Sequence, residues 1–187
     1  MTPRFTAALS LAARAHEGQA RKGTPIPYIT HPVAVAGLVA QYGGDEDQQI
    51  AALLHDALED GGAQFAPEIL EGFGARVLSM VEGCTDGVPD ASGQKGPWWE
   101  RKRAYLAHLA TLPNEILLVS ACDKLSNARA ILDDLVTVGH AIFERFTTKK
   151  EGTLWYYTEL AKVFTARQSP VAETLNATVA ELCRLAA

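Results

Sequence analysis

The 187-residue sequence is poor in cysteine: Cys84, Cys122 and Cys183 stand far apart and form no C-x-x-C pair. That spacing excludes a zinc knuckle and a dithiol redox motif. The three thiols read as reduced, mostly buried side chains. Basic charge is also scarce. Seventeen Lys plus Arg against 22 Asp plus Glu leave a formal charge of −5, the reverse of the basic footprint of a dedicated DNA binder. A small anion remains admissible, because it responds to the local field of a cleft rather than to total charge. No apolar run approaches the roughly 18 residues of a membrane span. Arg4, Arg14 and His16 interrupt the N-terminal stretch where a signal peptide needs its apolar core. Two-residue alternation is never sustained long enough for a strand, and neither a repeat nor a low-complexity segment is present. The expectation is a soluble, cytoplasmic protein with neither DNA nor membrane as partner.

What is abundant is helical periodicity. With 48% apolar residues, a chain this long buries roughly 70% of its unfolded surface and needs no staple. Phe5, Ala8, Leu9, Ala12, Ala13 and His16 recur at three- and four-residue steps, the pattern of one buried helical face. A Gly- and Pro-rich loop follows, and Thr30 is the expected N-cap of a helix with Pro32 in its first turn. Asp45 and Gln48 resemble a capping box at the start of a helix that carries IAALLHDALED to Gly61-Gly62. Pro67 opens a short helix to about Leu70, and 75–85 reads as another. Residues 86–97 read as a loop, followed by helices over 98–110, 114–135, 153–166 and 170–185. The expected architecture is all-α, a bundle of about eight to ten helices. One domain is expected over 1–187, its core at 5–135 and the helices of 153–185 packed on it.

The segment LLHDALED concentrates the chemistry. On a continuous helix Glu59 falls one turn after His55, and Asp60 one turn after Asp56. Four ionisable groups then line one stripe of an otherwise apolar helix, and burying any part of it is costly without a cation. A solvated helix edge is the other reading of these four residues. Two further segments bear on the choice. His31 follows a Pro-rich loop in YITHPVAVA, and Asp123 interrupts the apolar helix ILLVSACDKLSNARAILDDL with Asn127 one turn on. Polar residues on three apolar helices point to a site.

The order His31, His55-Asp56, Asp123 resembles the H…HD…D signature of the HD superfamily of metal-dependent phosphohydrolases. AHEGQARKGTPIPYITHPVAVA, IAALLHDALED, FGARVLSMVEGCTD and ACDKLSNAR resemble the hydrolase domain of RelA/SpoT enzymes over about residues 5–130. Because the synthetase and regulatory domains of the long enzymes have no room here, the chain looks like a stand-alone small alarmone hydrolase. The resemblance implies that His31, His55, Asp56 and Asp123 hold one metal ion, generally Mn²⁺. Such a mixed N/O set also suits other divalent transition metals. It implies that Glu59 and Asp60 orient the attacking water and accept its proton. The implied reaction is hydrolysis of the 3′-pyrophosphate of (p)ppGpp to GDP or GTP and pyrophosphate.

The substrate would be a purine nucleotide alarmone. Arg21 and Lys22 match the family's pair beside the nucleotide, and Asn127 matches a sugar-contacting amide, with a helix-to-helix hydrogen bond as its rival role. Two more basic groups are candidates for contact with substrate. Lys95 with Arg101, Lys102 and Arg103 surrounds Trp98-Trp99, and this group either anchors the helix through its tryptophans or receives the distal phosphates or closes over substrate. Arg145 with Lys149 and Lys150 is the other, where relatives of the resembled family also carry basic residues. Lys102 and Lys149 are the members put forward. Asp86 is a further acidic residue expected near the cleft. His16, His108 and His140 read as core or surface histidines. Ser126 and Trp98 depart from the family pattern and bear on substrate choice. Three alternatives stand beside the main reading: the same chemistry on (p)ppApp, phosphatase action on NADPH, and a nucleotide-sensing HD domain. A homo-oligomer is left open.

Overall fold

A computed structural model describes residues 2–86 and 96–187. Among them, regular structure is helical: α1 (Pro3–Ala15), α2 (Thr30–Gln41), α3 (Glu46–Leu54), α4 (Phe65–Phe73), α5 (Ala75–Cys84), α6 (Trp98–Leu109), α7 (Asn114–Val138), α8 (Lys149–Ala166) and α9 (Ala172–Ala186). A π-helical turn (Ala57–Gly61) follows α3, and a 3₁₀ segment (Gly139–Arg145) joins α7 to α8. The expected all-α class is what the chain adopts. Lys95 and most of the 86–97 loop lie outside the described residues.

α3 is the hub. Asp45 and Gln48 form the expected capping box, with Gln48 N donating to Asp45 Oδ1 at 3.0 Å and Asp45 N donating to Gln48 Oε1 at 2.9 Å. Ile50 through Leu54 are each fully buried, so this half of the helix is apolar all round, as a helix enclosed by others must be. It packs against α1, α2, α5 and α7, and α9 covers α7 and α8 from the C-terminal side. Gly44 permits the tight entry to α3: a Cβ there would sit 2.4 Å from Val39 Cγ1.

Four expectations need correction. In α1 the buried face is Ala8, Leu11, Ala12, Ala15 and His16, with Ala13 exposed; the stripe is turned toward Leu11, and α3 packs on this helix. Thr30 does not cap α2; it lies within the helix, and its hydroxyl donates to the Pro27 carbonyl at 2.8 Å. α8 begins one turn before Thr153, following the 3₁₀ segment. Finally, LLHDALED is not one α-helix: α3 stops at Leu54, and Asp56 takes φ −98°, ψ 0°, at the junction with the π turn. Residues there leave the 100° spacing, so the four ionisable side chains do not line one stripe. Apolar periodicity, which runs through the segment, does not report this break.

Candidate metal centre and nucleotide cavity

Three elements meet at the centre. The start of α2 carries His31, the α3–π junction carries His55 and Asp56, and the middle of α7 carries Asp123. His31 Nε2 lies 3.0 Å from Asp123 Oδ1 and 3.7 Å from Asp56 Oδ2. His55 Nε2 lies 2.9 Å from Asp56 Oδ2 and 3.5 Å from Asp123 Oδ1. His31, His55 and Asp123 offer ligand atoms all within 4.8 Å of one another. Both Nε2 atoms are buried, and among the described residues neither has a hydrogen-bond partner.

The tautomer of His55 follows from its other nitrogen. Nδ1 sits 2.8 Å from the Ala52 carbonyl, which can only accept, so Nδ1 carries a proton and Nε2 is the atom turned to the centre. Burial pulls the His31 imidazole below the ordinary histidine range. At His55 burial acts in the same direction but is outweighed by Asp56 and Asp123. Both carboxyls are held below the usual carboxylate range. Burial opposes this, and His55 outweighs it at Asp56, Lys124 and His55 at Asp123. Two nearly enclosed carboxylates beside orphaned imidazole nitrogens are a donor set that a divalent cation fits. Cys122, whose thiol burial pushes up to about 12, stays protonated and out of such a set.

Two supporting groups were not singled out by the sequence reading. Lys124 Nζ pairs with Asp123 Oδ2 at 2.6 Å, and its charge also lies over the Tyr105 ring. Tyr28 donates its hydroxyl to Asp56 Oδ2 at 2.6 Å. Their only sequence signal is adjacency, Lys124 beside Asp123 and Tyr28 three residues before His31. Ser126 lies 3.3 Å from His31 Nδ1 through its Oγ.

A cavity of about 750 Å³ opens on the His31 side of the centre, within the size range of small-molecule sites. Arg21, Lys22, Arg101, Lys102 and Arg145 line it together with Asp60 and Trp98. Arg21 lies over the Tyr28 ring at 5.6 Å and donates to Asn127 Oδ1 at 2.8 Å. Asn127 Nδ2 donates to Asp123 Oδ1 at 2.6 Å within α7, a bond inside one helix rather than the helix-to-helix bond weighed for this amide. Gly23 has φ +72°, and a Cβ there would meet Arg145 Cδ at 2.6 Å; the RKG turn therefore lies flat on Arg145. Asp86 pairs with Arg101 at 2.6 Å and with Lys102. Its amide donates to Glu59 Oε2 at 3.4 Å, which places the Glu59 carboxylate beside this network.

Not every candidate is brought to the cavity. Lys149 is absent from its walls and pairs with Glu144 on the surface. Arg103 stacks on Trp99 and Trp155 instead. His108 and His140 are exposed and His16 is buried.

An all-helical frame with two histidines and two aspartates from α2, the junction after α3, and α7 at its centre defines the class of protein. The HD domain family matches residues 8–154, and the chain belongs to it. Among its relatives is guanosine-3′,5′-bis(diphosphate) 3′-pyrophosphohydrolase MESH1 of Xenopus tropicalis, 38% identical over 125 residues, covering 65% of this chain and 66% of that one. The bifunctional (p)ppGpp synthase/hydrolase SpoT of Escherichia coli K12 is 45% identical over 82 residues, 44% of this chain and 11% of that one. The chain thus spans just under two thirds of the MESH1 relative and a small part of the long enzyme. The crystal structure of lmo0812 from Listeria monocytogenes EGD-e superposes with a TM-score of 0.68 at 23% identity, covering 80% of this chain and 96% of that one. A metazoan ortholog of SpoT, described as hydrolysing ppGpp, gives 0.60 at 24% identity, covering 89% and 97%. These two likenesses show the fold. Among the described residues no helix is long and apolar enough to cross a membrane.

Proposed function

We propose that this HD protein hydrolyses the 3′-pyrophosphate of guanosine alarmones, (p)ppGpp plus water giving GDP or GTP plus pyrophosphate. One observation carries the reading: two buried, unpartnered imidazole nitrogens face two aspartates at the edge of a cavity with five basic side chains in its wall. The names of the MESH1 and SpoT relatives support the substrate class.

His31, His55, Asp56 and Asp123 are the residues that would hold the cation, Mn²⁺ in our reading. A cation held there supplies Lewis acidity toward water and toward a phosphoryl oxygen. Asp60, in the cavity wall, and Glu59, beside Asp86, are assigned to orienting the water and receiving its proton. Arg21 offers a planar guanidinium to the purine or its sugar. Lys22, Lys102 and Arg101 offer charge to phosphates, and Arg's fork suits bidentate contact. Lys149 has no place in this scheme. The helices of 153–185 share one apolar core with α2, α3 and α7, which supports reading 1–187 as one hydrolase domain. The free cysteines suit a cytoplasmic setting.

The test is incubation of the protein and Mn²⁺ with ppGpp, ppApp and NADPH, the products separated by chromatography. Pyrophosphate and GDP from ppGpp are expected. Inorganic phosphate from NADPH with ppGpp untouched would overturn the proposal.

A further inference from the structure

His16 is a buried ionisable residue with no part in the chemistry above. It closes α1, is 3% exposed, and its Nε2 has no hydrogen-bond partner among the described residues. Gln19 fixes its proton. Gln19 Nε2 donates to the Asp60 carbonyl at 2.9 Å, and a carbonyl only accepts. The remaining amide atom, Oε1, therefore faces His16 Nδ1 at 2.8 Å, and Nδ1 must be the donor. The His16 ring lies against Tyr28, the centroids 4.7 Å apart and the planes tilted by 36°. Tyr28 in turn holds Asp56 Oδ2.

Two arms thus run from one imidazole to the centre. The first passes through Gln19 to the backbone of the π turn. The second passes through the Tyr28 ring to Asp56. The backbone ties the arms together: Tyr28 N donates to the Gln19 carbonyl at 3.0 Å, and Ala20 pairs with Pro27 in a bridge. Carbonyls at a helix end take donors from outside the helix, and Gln19 is such a donor to the Asp60 carbonyl.

We infer that His16, Gln19 and Tyr28 are positioning residues that hold Asp56 and the turn bearing Glu59 and Asp60 at a fixed separation. The Tyr28 arm acts on cation binding. The His16–Gln19 arm acts on turnover and rests on the proposed hydrolase reading.

The experiment compares wild type, Tyr28→Phe, His16→Asn and His16→Leu in the full chain. Mn²⁺ alone is titrated into metal-free protein by calorimetry, with melting temperature and steady-state kinetics on ppGpp alongside. Tyr28→Phe keeps the ring against His16 and removes only the hydroxyl. It should weaken Mn²⁺ binding about 10- to 100-fold, the usual loss for a ligand's hydrogen-bond partner, at an unchanged melting temperature. His16→Leu should lower kcat with KM unchanged, and His16→Asn, which keeps a donor toward Gln19, should recover most of that loss. Wild-type Mn²⁺ affinity in Tyr28→Phe overturns the first arm. Equal loss of kcat in His16→Asn and His16→Leu overturns the second. A wild type that binds Mn²⁺ without touching ppGpp defeats the hydrolase reading, and the Tyr28→Phe titration still decides the first arm.

Discussion

The guanidinium of Arg21 donates to Asn127 Oδ1 across 2.8 Å. The same amide donates from Nδ2 to Asp123 Oδ1, so a cation of the cavity wall and a proposed metal ligand share one side chain. Substrate that engages Arg21 therefore acts on the group that orients Asp123. Arg21→Ala should raise KM, and Asn127→Ala should lower kcat/KM by acting at both ends. Because the two residues touch, the double mutant should depart from additivity by about 0.5–3 kcal/mol. Steady-state kinetics on all four proteins measure this, and strict additivity would separate Arg21 from the centre.

The ligand set gives a second prediction through stability. A cation that binds only the folded chain adds RT ln(1 + [L]/Kd), about 2.7 kcal/mol at a hundredfold excess over Kd. For a chain of this length that is roughly 5–10 °C in Tm. Mn²⁺ should give this shift in the wild type and EDTA should reverse it. His55→Ala and Asp123→Ala should lose both the shift and turnover. A shift that persists in Asp123→Ala places the cation elsewhere.

Glu59→Gln separates binding from chemistry. The amide is close in size and cannot accept a full proton, while His31, His55, Asp56 and Asp123 are untouched. The Mn²⁺ thermal shift should remain, and kcat should fall by about 10²–10⁴, the range for a lost general base. Unaltered turnover would transfer that role to Asp60.

These sites were legible in the sequence to different depths. His31, His55, Asp56 and Asp123 announced themselves because polar residues interrupt apolar helices, and the four converge. The capping box at Asp45 and Gln48 was equally plain, since capping is local. The π turn was not, because helical periodicity runs through LLHDALED without a Gly or Pro to mark the break. Tyr28 and Lys124 were missed for another reason. Each acts by touching a neighbour's carboxylate, and spacing alone reports no such contact. Lys149 illustrates the converse, a family match whose side chain turns to Glu144.

The hub helix predicts a contrast in stability. Leu53 is fully buried at the centre of the core, so Leu53→Ala should cost about 2–5 kcal/mol from lost transfer and the cavity left behind. Asp45→Ala removes a cap at the exposed end of the same helix and should cost about 0.5–2 kcal/mol. Denaturant unfolding monitored by circular dichroism measures both. Equal losses would mean that Leu53 does not anchor the core as its burial implies.

The tryptophans supply an optical test of where the nucleotide lies. All three in the chain form one cluster, with Trp98 4.9 Å from Trp99 and 6.1 Å from Trp155 between ring centroids. Trp98 lines the cavity beside Arg101 and Lys102, while Lys102 also lies over Tyr156 at 4.8 Å. A nucleotide that draws these cations from Asp86 changes the surroundings of the indoles directly. ppGpp added to Glu59→Gln, which slows turnover, should quench intrinsic fluorescence in a saturable manner. Trp98→Phe should remove most of that signal while the cations remain. If saturating ppGpp leaves the emission unchanged yet is still hydrolysed by the wild type, the nucleotide lies wholly on the Arg21 side and Trp98 takes no part in its recognition.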